Sequence, residues 1–310
     1  MKGVQIGEKE RIEINAQVDK VLRGLGNPEP PVSLDAIREL LRLDRHYYSS
    51  TDDSVLREFI SKVKIGAQQL FLRPTLIFDV VKKASVSAFW IPDGKRILID
   101  RDLPEKKHRW AETHEVVHSI TEWHKLFLFG DSTRELNPAC HDQLEAEANY
   151  GAGQLLFMRG RFVREARDME KSLATVKTLS TRFGNTMTST LWRYVEQLGG
   201  QHPMVGLVTV HPQRVPDDHD PAAPCKYFIE SPAFRAQFSC VAEVEVFDAL
   251  QQYCSKAKGG PLGEAEVILR DVNGTPHVFW FETFYNRYEA LTLAYYVKEQ
   301  RVVVAVPQKH

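Results

Sequence analysis

The sequence has no apolar run approaching the ~18 residues that a bilayer span requires, so no membrane passage is expected. Its first residues, Met1 to Asn15, carry no apolar core of the kind a secretory signal needs. Only four cysteines occur, Cys140, Cys225, Cys240 and Cys254, and no two form a CxxC pair. That leaves no zinc ribbon or thioredoxin-type dithiol. Scattered cysteines in a chain of this size fit a reducing cytoplasm, and buried, inert thiols are expected. An excess of one charge is also missing: 40 Lys and Arg against 41 Asp and Glu leave a net charge of -1 over 310 residues. Bulk binding to nucleic acid needs a basic excess or a strongly basic face, so direct DNA binding is not expected. Internal repeats and low-complexity tracts are absent. What remains is an ordinary globular composition, 43% hydrophobic and 26% charged, long enough for two domains or three small ones.

Local patterning divides the chain. Ile12 to Leu25 reads as a helix ended by Gly26 and the breaker-rich Asn27 to Pro31. Ser33 stands at an N-cap position before a second helix, in which Leu34, Ile37, Leu40 and Leu41 recur at helical spacing. Ser54 to Phe71 is a further amphipathic stretch. SVSAFWI and KRILID flank Asp93-Gly94 and predict a hairpin. Helices follow from about Glu105 to His124 and from His141 to Met158, separated by a polar loop opened by Gly130 and Asp131. Residues 159–200 read as helix, turn and helix, broken at Gly184-Asn185. Beyond Gly199 the character turns to β: MVGLVTV, a Pro- and Asp-rich loop from Pro212 to Pro224, a hairpin about Asn273-Gly274, and a final VVVAV strand. A domain boundary is therefore expected near Gly199.

The sharp feature is His114-Glu115-Val116-Val117-His118, an H-E-x-x-H. On a helix the two histidines stand one turn apart on one face. Two imidazoles there can bind one metal ion, and the Glu beside the first can act on a water at that metal. Trp110, Val117 and Ile120 supply a buried side for such a helix. A catalytic zinc needs a third protein ligand. His124 occupies the place of the third histidine of the metzincin pattern, but Thr121 stands where that pattern turns the chain with Gly. In an unbroken helix His124 would lie about 9 Å along the axis from His118, on another face; a surface or capping role is expected for it. The other source is the second helix, whose Glu145 and Glu147 point about 200° apart, so that only one can face the metal.

Together, HRWAETHEVVH and EAEANYGAGQLLFM resemble the two signatures of the ImmA/IrrE metallopeptidase family. Arg109-Trp110 stands for the Arg-Phe that precedes the family's H-E-x-x-H, and Asn149, Gly151-Ala152 and Leu155-Leu156 match or nearly match the second signature. Gly151 replaces an aromatic, and Phe157-Met158-Arg159 replaces a Met-Pro ending. The similarity covers roughly residues 30–160. It implies one zinc ion held by His114, His118 and Glu145, with Glu115 as general base and Glu147 beyond the ligands or on the surface. It further implies a mostly helical, zincin-like endopeptidase domain with a small antiparallel sheet over 1–160, and a helix-turn-helix-like segment over 161–199. The similarity to the IrrE branch implies a GAF-like sensory or interaction domain of α/β type over 200–310, giving an α+β protein overall. Family members cut helix-turn-helix repressors, releasing stress or mobile-element genes, so such a repressor is the implied substrate. Sequence proximity offers His124, His141 and Tyr150 as oxyanion stabilisers. SVSAFWI offers an edge on which a substrate could add a strand.

In the helix-turn-helix-like segment, Lys171, Lys177, Arg182 and Arg193 are basic, whereas Leu179, Phe183, Leu191, Trp192 and Val195 read as core. A small-molecule signal is an expectation for the GAF-like part. The competing reading is a DNA-binding or partner-binding regulator with a structural or vestigial metal site; another is a metzincin-like protease using His124.

Overall fold

The computed structural model describes residues 6–48, 88–91, 95–101, 103, 105–124 and 138–300. The Ser54 to Phe71 stretch, the Asp93-Gly94 turn, the Gly130-Asp131 loop and the VVVAV strand lie outside the described residues. Two compact units divide the chain, Met1–Arg161 and Phe162–His310. Helices and a five-stranded antiparallel sheet make the protein α+β. Among the described residues no helix is long and apolar enough to cross a membrane.

In the first unit, α1 (Glu8–Gly24) buries Ile14, Val18, Val21 and Leu22 along one stripe. The chain turns at Gly26, whose φ of 73° suits glycine. Helix α2 (Leu34–Leu41) starts at Ser33, whose hydroxyl accepts from the Ala36 N–H at 3.2 Å. Strands β1 (Asp44–Tyr48), β2 (Ala88–Ile91) and β3 (Arg96–Asp100) form a sheet in the order β1-β3-β2. Strand β2 runs antiparallel to β3, as a hairpin requires, but β1 runs parallel to it. The sheet is therefore mixed rather than antiparallel throughout. Parallel pairing needs a long return, and the sequence between Tyr48 and Ala88 supplies the length.

Helix α3 (Glu105–Ile120) packs on β2 and β3 and against α4 (Pro138–Leu156), which in turn meets α1. Val117, Ala148 and Ala152 form the α3–α4 seam, with Trp110 packed beside them. Glu112, 1% exposed on α3, receives Arg38 from α2 at 2.7 Å and Arg45 from β1 at 3.1 Å. Arg109 donates to the Val32 carbonyl at 2.9 Å. Polar bonds thus tie α3 to α2, to β1 and to Val32, while small residues hold it to α4.

In the second unit, α5 (Gly160–Arg167), α6 (Leu173–Phe183) and α7 (Met187–Leu198) precede β4 (Met204–Thr209). Ser172 and Thr186 cap α6 and α7, each accepting an N–H at 3.1 Å. Gly184 ends α6 with a φ of 67°, which makes the turn. Strand β5 (Cys225–Glu230), α8 (Pro232–Gln237), α9 (Glu243–Tyr253), β6 (Gly260–Arg270), β7 (Pro276–Tyr285) and β8 (Ala290–Glu299) complete the unit. The sheet order is β5-β4-β8-β7-β6, antiparallel throughout. Alternation sorts β4 between two faces. Val205 and Leu207 join Phe234, Phe238, Phe247 and Leu250 in one core. On the other face a Cβ at Gly206 would lie 3.1 Å from Val195 and 3.4 Å from Leu191, both on α7.

That second contact bears on the boundary expected near Gly199. Helix α7 packs on β4 and β5, and α6 on β7, so the helical segment is one layer of the C-terminal unit and the compact units part after Arg161. Leu179, Phe183, Leu191 and Val195 are buried as the pattern suggests. Trp192 is not: it is 38% exposed and meets Tyr227 edge-on at 5.3 Å, because α7 turns Leu191 and Val195 to the sheet instead.

Candidate metal centre

Helical spacing sets His114 and His118 on one face of α3, and packing buries that face. Glu115 is 7% exposed and His118 5%. The Nε2 atoms of His114 and His118 lie 3.1 Å apart. Glu145 reaches across from α4, with Oε2 3.1 Å from His114 Nε2 and Oε1 3.6 Å from His118 Nε2. Among the described residues these three side chains form the group of His, Cys, Asp or Glu able to hold a metal ion.

The donor set fits zinc. Zn–N and Zn–O bonds of ~2.0–2.2 Å in a tetrahedron place ligand atoms about 3.3 Å apart, and the observed separations straddle that value. Among the described residues two imidazoles and one carboxylate converge, ligand types that zinc takes. The hydrogen bonding of His114 agrees. Its Nδ1 lies 3.1 Å from Asn149 Oδ1, which also faces Trp110 Nε1 at 3.4 Å. An indole N–H can only donate, so that Asn149 atom is the amide oxygen. His114 Nδ1 therefore carries the proton, and Nε2 presents its lone pair to the cluster.

Burial opposes a charge on His114, but the hydrogen bond to Glu145 and the charges of Glu115 and Glu145 outweigh it and raise its pKa. His118 goes the other way: burial, against the pull of its Glu145 contact and joined by His114 and His124, takes it down to about 4. Burial pushes Glu145 up, yet its two histidine partners hold it well below the usual carboxylate range.

The two glutamates of α4 divide as their angular separation requires. Glu145 faces the histidine pair, and Glu147, 2% exposed, faces away from it into a separate set of donors. Trp123 Nε1 donates to Glu147 Oε2 at 2.7 Å, Gln143 Nε2 to Oε1 at 2.8 Å, and His124 Nε2 lies 3.0 Å from Oε2. His124 is fully buried, with Nδ1 2.8 Å from His118 Nδ1, so a surface or capping role is overturned. The helix breaks to allow this. Ser119 and Thr121 hydroxyls donate to the Val116 and Val117 carbonyls at 2.6 and 2.8 Å. Thr121 leaves the helical conformation, and Glu122 to His124 resume it.

The other sequence candidates lie elsewhere. Tyr150 exchanges hydrogen bonds with Asn15 of α1 at 3.0 and 3.2 Å, under the Arg11 guanidinium, so its phenol faces α1. The His141 side chain lies outside the described residues. Asn149, Trp123 and Gln143 are partners to which sequence reading assigned no role, and Trp110, read there as part of the buried side, also donates toward Asn149. Asn149 stood within the second signature, but nothing in its spacing indicated a bond to His114.

No family model matches the chain, and no curated protein matches it. Among solved structures, a Mycobacterium tuberculosis transcriptional regulator is similar, with a TM-score of 0.50 at 13% identity, over 94% of this chain and 77% of that one. At that identity the likeness is one of fold.

Proposed function

We propose that this chain is a cytoplasmic zinc-dependent endopeptidase of the ImmA/IrrE type, cutting a regulatory protein of the helix-turn-helix repressor class. The convergence of His114, His118 and Glu145 with Glu115 buried beside them carries the reading. Zinc in that set would supply a Lewis acid that polarises a peptide carbonyl and brings a water's pKa toward ~7. Glu115 takes a proton from the water as its oxygen bonds to the carbonyl carbon, then passes it to the departing amine nitrogen as the C–N bond breaks. Asn149 holds His114 in the tautomer that leaves Nε2 free for the metal. Strand β2 pairs with β3 on one side and ends the sheet among the described strands, so a substrate segment can add beside it.

Two observations weigh against DNA binding through the helix-turn-helix-like segment. Arg193 is 7% exposed, so α7 does not offer it to a groove, and Arg182 is paired with Glu165 at 3.2 Å. The C-terminal unit then serves as the sensory or interaction part, with a small-molecule signal as its candidate ligand. A second reading is a DNA-binding or partner-binding regulator whose metal site is structural or vestigial. It draws on the likeness in fold to the M. tuberculosis transcriptional regulator.

The deciding experiment pairs zinc analysis with cleavage of a repressor encoded beside this chain. Glu115→Gln should retain zinc and lose cleavage, and Glu145→Ala should lose zinc. Wild-type protein that binds zinc, leaves the repressor intact and shifts DNA in a salt-dependent way would instead support the regulator.

A further inference from the structure

We infer that His124 and Glu147 act as a positioning pair, holding His118 from behind in the orientation and tautomer that present its Nε2 to a metal. The inference rests on the metal-site reading above and concerns how that site is held.

The proton on each ring nitrogen is fixed by working inward from Glu147. Trp123 can only donate, and so can the Gln143 amide nitrogen, so the two oxygens of Glu147 act as acceptors at 2.7 and 2.8 Å. His124 Nε2, 3.0 Å from Oε2, must then donate. A neutral imidazole that donates from one nitrogen accepts at the other, so His124 Nδ1 carries a lone pair. His118 Nδ1, 2.8 Å away, must donate to it, which leaves the lone pair of His118 on Nε2. That atom faces His114 and Glu145 at 3.1 and 3.6 Å. A carboxylate two hydrogen bonds removed thus selects the metal-binding form of His118.

Burial makes the selection strict. His118, His124 and Glu147 are 5%, 0% and 2% exposed, so water does not compete for these bonds. The same geometry argues against His124 as a ligand. Its Nδ1 is spent on the far side of the His118 ring and its Nε2 on Glu147, and it is not among the converging ligand atoms. Histidine ligands generally donate their second N–H to a carboxylate or carbonyl; here a second imidazole is inserted between ligand and carboxylate.

The test uses the full chain and zinc competed against a chromophoric chelator, with folding checked by circular dichroism. His124→Ala and His124→Phe should each weaken zinc about 10–100-fold. His124→Asn should recover much of the loss, because its amide oxygen can still accept from His118, whereas Phe preserves only the packing. Glu147→Gln should weaken zinc by less. Cobalt(II) bound to each variant should keep the wild-type absorption bands, since no ligand is lost. Nitrogen-15 spectra of metal-free wild type should show His118 protonated at Nδ1. Wild-type zinc affinity in His124→Phe, changed cobalt bands in His124→Ala, or His118 protonated at Nε2 would each overturn the pair. A wild-type chain that binds no zinc would overturn the metal-site reading itself.

Discussion

Gly151 on α4 faces Val117 on α3 so closely that a Cβ at Gly151 would lie 2.6 Å from Val117 Cγ1. The same atom would lie 3.0 Å from Ile14 Cγ2 of α1. The glycine that departs from the family signature therefore sits where three helices converge. It lies one turn beyond Glu147, so the approach it permits brings the two glutamates of α4 up to α3.

Gly151→Ala should be destabilising, against ordinary helix propensity. Alanine gains about 1 kcal/mol within a helix, but the β-branched Val117 cannot swing aside, and overpacking costs about 1–3 kcal/mol. A net loss of about 1 kcal/mol is expected in denaturant unfolding, together with weaker zinc binding. Adding Val117→Ala should restore part of both; equal losses in the single and double variants would rule out the steric account.

On the acid side of neutrality, zinc binding should displace one proton from its protein ligands, not two. His114 has its pKa raised, so metal competes with a proton there, and affinity should fall about tenfold per pH unit below that value. His118, at about 4, is already neutral, and Glu145 is already ionised. Affinity should thus rise with pH, with His114 supplying one proton to the slope on the acid side of neutrality. Competition titrations from about pH 5 to 8 check the slope; a two-proton slope would contradict the assignment.

Thiol reagents should distinguish the three cysteines whose side chains are described, Cys225, Cys240 and Cys254. Cys240 is exposed, while Cys225 and Cys254 are held above the usual thiol range, chiefly by burial. Brief alkylation at mild alkaline pH, mapped by mass spectrometry, should modify Cys240 and spare the other two until the chain unfolds. Rapid labelling of Cys225 in folded protein would show the thiol to be more accessible than its surroundings imply.

Glu112→Ala should cost about 2 kcal/mol. Removing one partner of a fully buried pair costs ~3–5 kcal/mol, and the Arg45 side chain, 30% exposed, recovers some solvation. Glu112→Gln should cost less, since its single amide oxygen can still accept from one of the two arginines. Thermal unfolding measures both, and an Ala variant as stable as wild type would mean that Arg38 and Arg45 find other acceptors.

Much of the site was legible because its signal is local. His114 and His118 are one helical turn apart whatever surrounds them, and the cap at Ser33 depends on a backbone group within three residues. The hairpin about Asn273-Gly274 follows equally from its own turn. The positions that went astray depend on distant partners. Trp192 and Leu191 are neighbours in sequence, and only the sheet beneath α7 decides which is buried. Tyr150 lay close to Glu145 along the chain, yet the helix carries its phenol round to Asn15.

The sequence by itself determined a pair of imidazoles on one helix face, a glutamate beside the first of them and two carboxylates on a second helix pointing opposite ways. Which carboxylate meets the histidines was decided by how α4 packs on α3, through Gly151, Ala148 and Ala152. The place of His124 was likewise tertiary. Hydroxyls of Ser119 and Thr121 bond back to helix carbonyls, the helix breaks, and the third histidine turns inward behind His118. Periodicity can state which residues share a face, but not where a helix will yield to a competing hydrogen bond.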